Sequence, residues 1–197
     1  MILFSAAGVL PIDFRAKQGG WLFLGMLLIF FLSSLLLYAL YAVSRRDDPY
    51  SNATLPWSFL ISTVCLLAVS GLLHWATRSV RRDRFFQTTA LLSASTLAAI
   101  VFLGIQVVAM SQMLQETTLQ AGNGRGLVGM VVVLAFLHAL HVAGGVIALG
   151  IVAVGSAMGR YDHERHFAVD FSAEYWHFLD IIWIAMLAAF WYTTGGF

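Results

Sequence analysis

Long uncharged stretches dominate this chain. Five of them reach the roughly twenty residues that a helix needs to cross a hydrocarbon core of about 30 Å. They read as spans at about 20–43, 57–77, 85–114, 126–158 and 171–197. Charged residues are 11% of the chain and hydrophobic residues 60%, whereas an ordinary soluble domain carries about 25% charge. That balance excludes a water-soluble enzyme. A membrane β-barrel would show alternating segments of about ten residues, not continuous apolar runs. The expected fold is an all-α membrane protein, a bundle of five transmembrane helices forming one domain over 1–197.

Loop arginines and lysines set the orientation of such a bundle. Arg15 and Lys17, then Arg78, Arg81, Arg82 and Arg84, then Arg160 and Arg165 fall on one side; Arg45, Arg46 and Arg125 fall on the other. The excess places the N-terminus inside and, after an odd number of spans, the C-terminus outside. Trp21, Trp57, Trp75, Trp176, Trp191 and Tyr192 lie near span ends, where an aromatic belt belongs. Small residues four apart (Ala94 with Ala98, Ser95 with Ala99, Gly144 with Ala148) are expected at helix contacts. A formal net charge of +1 offers no basic field for nucleic acid. The single cysteine, Cys65, can build neither an internal disulfide nor a two-thiolate metal centre. Met1–Pro11 has no preceding basic region, so no cleaved signal peptide is expected.

Ionisable groups inside these spans carry the functional information, because each is expensive at membrane depth and needs a partner. His138 and His141 are three apart on the fourth span and share a face. On the fifth, His177 and Asp180 are also three apart, with Glu174 one turn to one side and Trp183 one turn to the other. His141 and Asp180 fall near the middle of consecutive antiparallel runs, which predicts a His and Asp network joining the fourth and fifth helices. Burial makes a carboxylate seek a donor, and an imidazole N–H supplies one. Such a network serves as a structural clamp, or as a proton relay if a path reaches both surfaces. A haem clamp pairing His74 with His138 or His141 is the third possibility.

The fourth loop holds Asp162, His163, Glu164 and His166. Its H-E-R-H is one residue short of the zincin H-E-x-x-H spacing, so the expectation is a solvated charged loop without a metal. Asn52-Ala53-Thr54 matches a glycosylation sequon too short to carry weight.

The run Phe136–Gly145, F-L-H-A-L-H-V-A-G-G, followed by Tyr175–Trp183, Y-W-H-F-L-D-I-I-W, resembles two signature helices of subunit III of the haem-copper oxidases. Leu55-Pro56 opening a helix with Ser62-Thr63, Ser70 and His74, and Phe102–Gln106 as an F-x-x-x-Q stretch, extend the resemblance over about Trp21–Phe197. The five spans are similar to the family's short form, which lacks the first two helices of the seven-helix form. The resemblance implies a non-redox subunit of a cytochrome c oxidase, with no cofactor of its own, haem and copper on partner subunits, and bound phospholipid. It implies packing on the catalytic subunit I, with subunit II nearby, and support of proton uptake and stability; the lack of a transit-like N-terminus adds the expectation of a bacterial inner membrane. His138, His141, His177, Asp180, Glu174 and Ser34 would form the buried polar network; Tyr175, Trp176, Trp183, Gly144 and Gly145 would be packing and signature positions. One departure stands out: where the family has a buried Glu after Ser, this chain has Ser33-Ser34. Ser34 is then expected to bond a histidine of the fourth helix. A quinol oxidase or nitric-oxide-reductase component of the same type, and a haem b membrane anchor, remain open as alternatives. A small secondary transporter would show an inverted repeat or broken helices, and neither is found.

Overall fold

The computed structural model describes residues 11–44, 55–119, 125–162 and 165–194. Five helices follow in chain order: α1 (Pro11–Ser44), α2 (Ser58–Val80), α3 (Phe85–Leu119), α4 (Arg125–Ala157) and α5 (Phe167–Thr194). All five are long and apolar enough to cross a membrane, and no strand occurs among the described residues. The all-α bundle is as expected, but several boundaries move. α1 begins at Pro11 instead of near Gly20, α3 continues to Leu119, and α5 begins at Phe167 instead of Phe171. Hydropathy marks only the apolar stretch, whereas backbone hydrogen bonding carries a helix through polar turns until a stop signal. Arg45, Arg46, the sequon at Asn52, His163, Glu164 and residues 195–197 lie outside the described residues, as do the side chains of Arg15 and Arg125.

Two stop signals sit at the same end of the bundle. α4 closes with Gly159 at φ 69°, its N–H on the Ser156 carbonyl and the Arg160 N–H on the Gly155 carbonyl. This pair of bonds satisfies carbonyls that the last turn would leave bare, and the positive φ is why glycine stands there. α2 closes the same way with Asp83 at φ 53°: Asp83 N–H reaches Val80 and Arg84 N–H reaches Ser79. A short polar side chain tolerates that conformation better than most.

α2, α3, α4 and α5 form a ring in which each packs on the next and α5 closes back onto α2; α1 lies outside, against α4 and α5. The attachment of α1 is one stripe, with Leu24, Leu27, Phe31, Tyr38 and Ala42 buried at the three- and four-residue steps of a helix face. The Tyr38 hydroxyl hydrogen-bonds Thr193 of α5, and its ring meets Phe190 edge-on at 5.2 Å. On its other face Leu22, Met26, Ile29, Leu36 and Leu40 are exposed, which in hydrocarbon is the ordinary lipid-facing surface.

Trp183 of α5 fills the centre of the ring at 0% exposure. Its ring meets Phe59 of α2 edge-on at 5.6 Å and Phe102 of α3 at 6.3 Å, and stacks on His138 of α4 at 5.2 Å. Its Nε1–H donates to the Thr63 hydroxyl at 2.9 Å, so the one polar atom of a buried indole has a partner. Trp176, expected in the aromatic belt, is instead buried at 1%, while Trp21, Trp57, Trp75, Trp191 and Tyr192 are exposed. Trp176 lies beside Gly145 of α4, where the missing side chain leaves room for it.

Candidate functional site

The face of α5 that carries His177 and Asp180 turns toward α2, not α4. At the membrane edge Arg81 Nη2 of α2 meets Asp170 Oδ2 of α5 at 2.9 Å, and His166 Nε2 stands 3.4 Å from the same oxygen. Asp170 lies in the first turn of α5, where the helix dipole also favours an acid. This pair sets the two antiparallel helices in register. Seven residues inward on each helix come His74 and His177, which are electrostatic neighbours. Deeper, the Ser70 hydroxyl hydrogen-bonds His177 Nδ1 and interacts with the Asp180 carboxyl. Deeper still, Thr63 takes the hydrogen bond from Trp183 while donating to the Phe59 carbonyl at 2.7 Å. The result is a polar seam that runs from the charged edge to Asp180, about 15 Å along α5 from Asp170 at 1.5 Å per residue.

The clamp expected between His141 and Asp180 is therefore corrected: Asp180 engages α2. The reason is azimuth. His141 Nδ1 is 2.7 Å from the Leu137 carbonyl of its own helix, and its ring packs against Phe31 at 5.0 Å and Phe30 at 5.8 Å, both of α1. α4 and α5 are joined instead through the backbone, by Tyr175 O–H to the His141 carbonyl at 2.8 Å. Ser34, expected to reach a histidine, donates to the Phe30 carbonyl at 2.8 Å, the local bond that a helical serine makes most readily. Glu174, expected to be buried, is exposed, and His177 is half-buried. Gly144 is exposed, with open space where a Cβ would stand, whereas a Cβ on Gly145 would meet Tyr175 at 2.8 Å.

His138 is fully buried between Trp183 and Phe31, and neither ring nitrogen has a hydrogen-bond partner within the protein. Gln106 of α3 is likewise buried with both amide atoms lacking a protein partner. The haem-anchor geometry does not fit these residues. Stacked aromatics close off His138, and His74 is exposed beside His177 on the far side of the ring. Among the described residues no three His, Cys, Asp or Glu side chains are placed to hold a metal ion. In the fourth loop Asp162 accepts the Arg165 N–H at 2.7 Å, a turn bond, and His166 belongs to the Asp170 pair.

Ser70 and Thr63 are the seam positions least visible from composition. Their signal is spacing: Thr63, Ser70, His74 and Arg81 recur at steps of seven, four and seven, one polar stripe on an apolar helix. Exposed ion pairs contribute little, so Asp170→Asn should lower stability by only about 0.2–1 kcal/mol in a detergent unfolding titration. A larger loss would mean that the pair holds the register of the whole seam.

A crevice of about 330 Å³ opens between α1, α4 and α5, lined by Phe23, His141, Gly144, Phe171 and Tyr175 among others. A family model described as Cytochrome c oxidase subunit III matches residues 20–194. Curated relatives called cytochrome c oxidase subunit 3 agree with that match. The one from Thermostichus vulcanus is 25% identical over 205 residues, covering 96% of each chain. The one from Marchantia polymorpha is 27% identical over 142 residues, covering 71% of this chain and 51% of its own length. The one from Petromyzon marinus is 26% identical over 134 residues, covering 68% and 49%. The chain thus spans about half the length of the plant and lamprey relatives and nearly all of the Thermostichus one.

Proposed function

The chain belongs to the cytochrome c oxidase subunit III family, and from that membership we propose that it is a non-redox subunit of a respiratory haem-copper oxidase. It packs on the catalytic subunit, with subunit II in the same complex, while those partners carry the haem and copper that reduce oxygen to water. Electrons come from cytochrome c and protons move outward. The complex sits in a bacterial inner membrane with the N-terminus of this chain inside.

The observation that carries this reading is how the histidines are used. His138 is a stacking partner of Trp183, His141 serves its own helix and His177 bonds Ser70. Each is engaged in helix packing, which suits a supporting subunit better than a redox centre. The crevice beside His141 and Tyr175 is open and apolar enough for a phospholipid chain, so bound lipid supports the bundle from the α1 side. Support of proton uptake, in this reading, comes from holding the catalytic subunit in its working shape during turnover.

Isolation of the intact assembly in mild detergent, with mass spectrometry and absorption spectra before and after separation, tests the proposal. The expected result is a large haem- and copper-bearing partner that keeps all the haem. Haem remaining on this chain would overturn the proposal. Within the complex, Asp180→Asn should leave the haem spectrum unchanged and weaken retention of this chain, because the neutral amide accepts a weaker hydrogen bond from Ser70 of α2 than the carboxyl it replaces. Full retention with slowed turnover would instead assign Asp180 to proton movement.

A further inference from the structure

Among the described residues of α2–α5, the exposed acid–base side chains lying deeper than one turn from a helix end are His74 and Glu174. Both belong to one patch. Glu174 lies four residues beyond Asp170 and three before His177, so it shares their face of α5, and His177 is the neighbour of His74 across the seam. From the Arg81–Asp170 level, Glu174 is about 6 Å deeper and His74 about 10 Å deeper. Hydrocarbon offers neither a donor for the carboxylate nor an acceptor for the imidazole.

The lipid-like face of α1 makes the contrast. Between Trp21 and Val43 its one exposed hydroxyl, Ser33, is satisfied by the Ile29 carbonyl of its own helix at 2.7 Å, and the other exposed side chains of that stretch are apolar. The bundle therefore has two outward faces of different chemistry. We propose that the α2–α5 seam is the docking face for a transmembrane helix of a partner subunit. That helix presents a hydrogen-bond donor to Glu174 and an acceptor to His74, while α1 faces lipid. The inference deepens the subunit reading above by choosing the face on which the partner sits.

The test uses the intact complex with Cys65→Ala as background and single cysteines at His74, Glu174 and Leu36, each carrying a photo-crosslinker or a spin label. Crosslinks from 74 and 174 to a membrane protein, with a lipid-dissolved quencher reaching 36 but not the other two, are the expected outcome. Equal quenching at all three sites in a complex that still holds its haem-copper subunit would overturn the docking face and leave the subunit reading standing. Crosslinks to a protein without haem or copper would keep the face and overturn the subunit reading. As a milder probe, Glu174→Leu and His74→Phe should each lower the fraction of chain recovered with the complex by about threefold, the typical effect of one interhelical hydrogen bond in a membrane. Unchanged recovery for both variants would count against the proposal.

Discussion

Trp183→Ala should be the most damaging single truncation in the described bundle, lowering stability by about 3 kcal/mol in a detergent unfolding titration. The side chain is fully buried and touches α2, α3 and α4 at once, so no single neighbour can relax into the space. Large aromatic truncations in water-soluble cores cost about 3–5 kcal/mol, combining lost transfer and an unfilled cavity. Here the reference state is also apolar, so the transfer part shrinks while the lost contacts remain; hence the lower end of that range. Trp183→Phe should cost less, about 1–2 kcal/mol, mainly by leaving Thr63 without its donor. An alanine variant as stable as the parent would show that the ring closes without its central residue.

Gly145→Leu should be nearly as damaging, and its neighbour supplies the control. Even a single Cβ at 145 would lie 2.8 Å from Tyr175 Cε1 and 3.4 Å from Trp176 Cζ2. The Tyr175 ring cannot swing freely, because its hydroxyl is held by the His141 carbonyl. Overpacking of this kind costs about 1–3 kcal/mol, occasionally more. Gly144 faces open space, so Gly144→Ala should be neutral or raise stability by up to about 1 kcal/mol through helix propensity. Thermal unfolding of the two variants in one detergent decides the matter. Equal effects would mean that the close approach of α4 and α5 does not depend on glycine.

The five spans were readable because hydropathy integrates over twenty residues and tolerates local exceptions. The helix ends were less so: Phe167 begins a helix in polar sequence, where only backbone bonding and the dipole give a signal. Of the candidate site, the residue types were legible and their pairing was not. His177 and Asp180 were correctly read as sharing a face, but periodicity on α5 says nothing about which neighbour that face meets. Chain order favoured α4, whereas the ring closes α5 onto α2 as well. The stripe Thr63, Ser70, His74 and Arg81 on α2 was the complementary half of the pattern. Matching the polar stripes of two helices, instead of pairing consecutive ones, would have found the seam. Spacing put Glu174 on the face of His177 but could not give its exposure, which in a membrane depends on what else surrounds the bundle.

The position of α1 outside the ring bears on how the protein is made. Its buried stripe rests only on α4 and α5, and it touches neither α2 nor α3 among the described residues. During synthesis, α1 therefore enters the bilayer with no native neighbour and waits there until α4 follows α2 and α3. α5 is the helix that meets α1, α2 and α4, so its arrival both shuts the ring and recruits the helix that was inserted first. Assembly of this bundle is closed from its C-terminal side, and a chain stopped before Phe167 would leave the ring open and α1 resting on α4 alone.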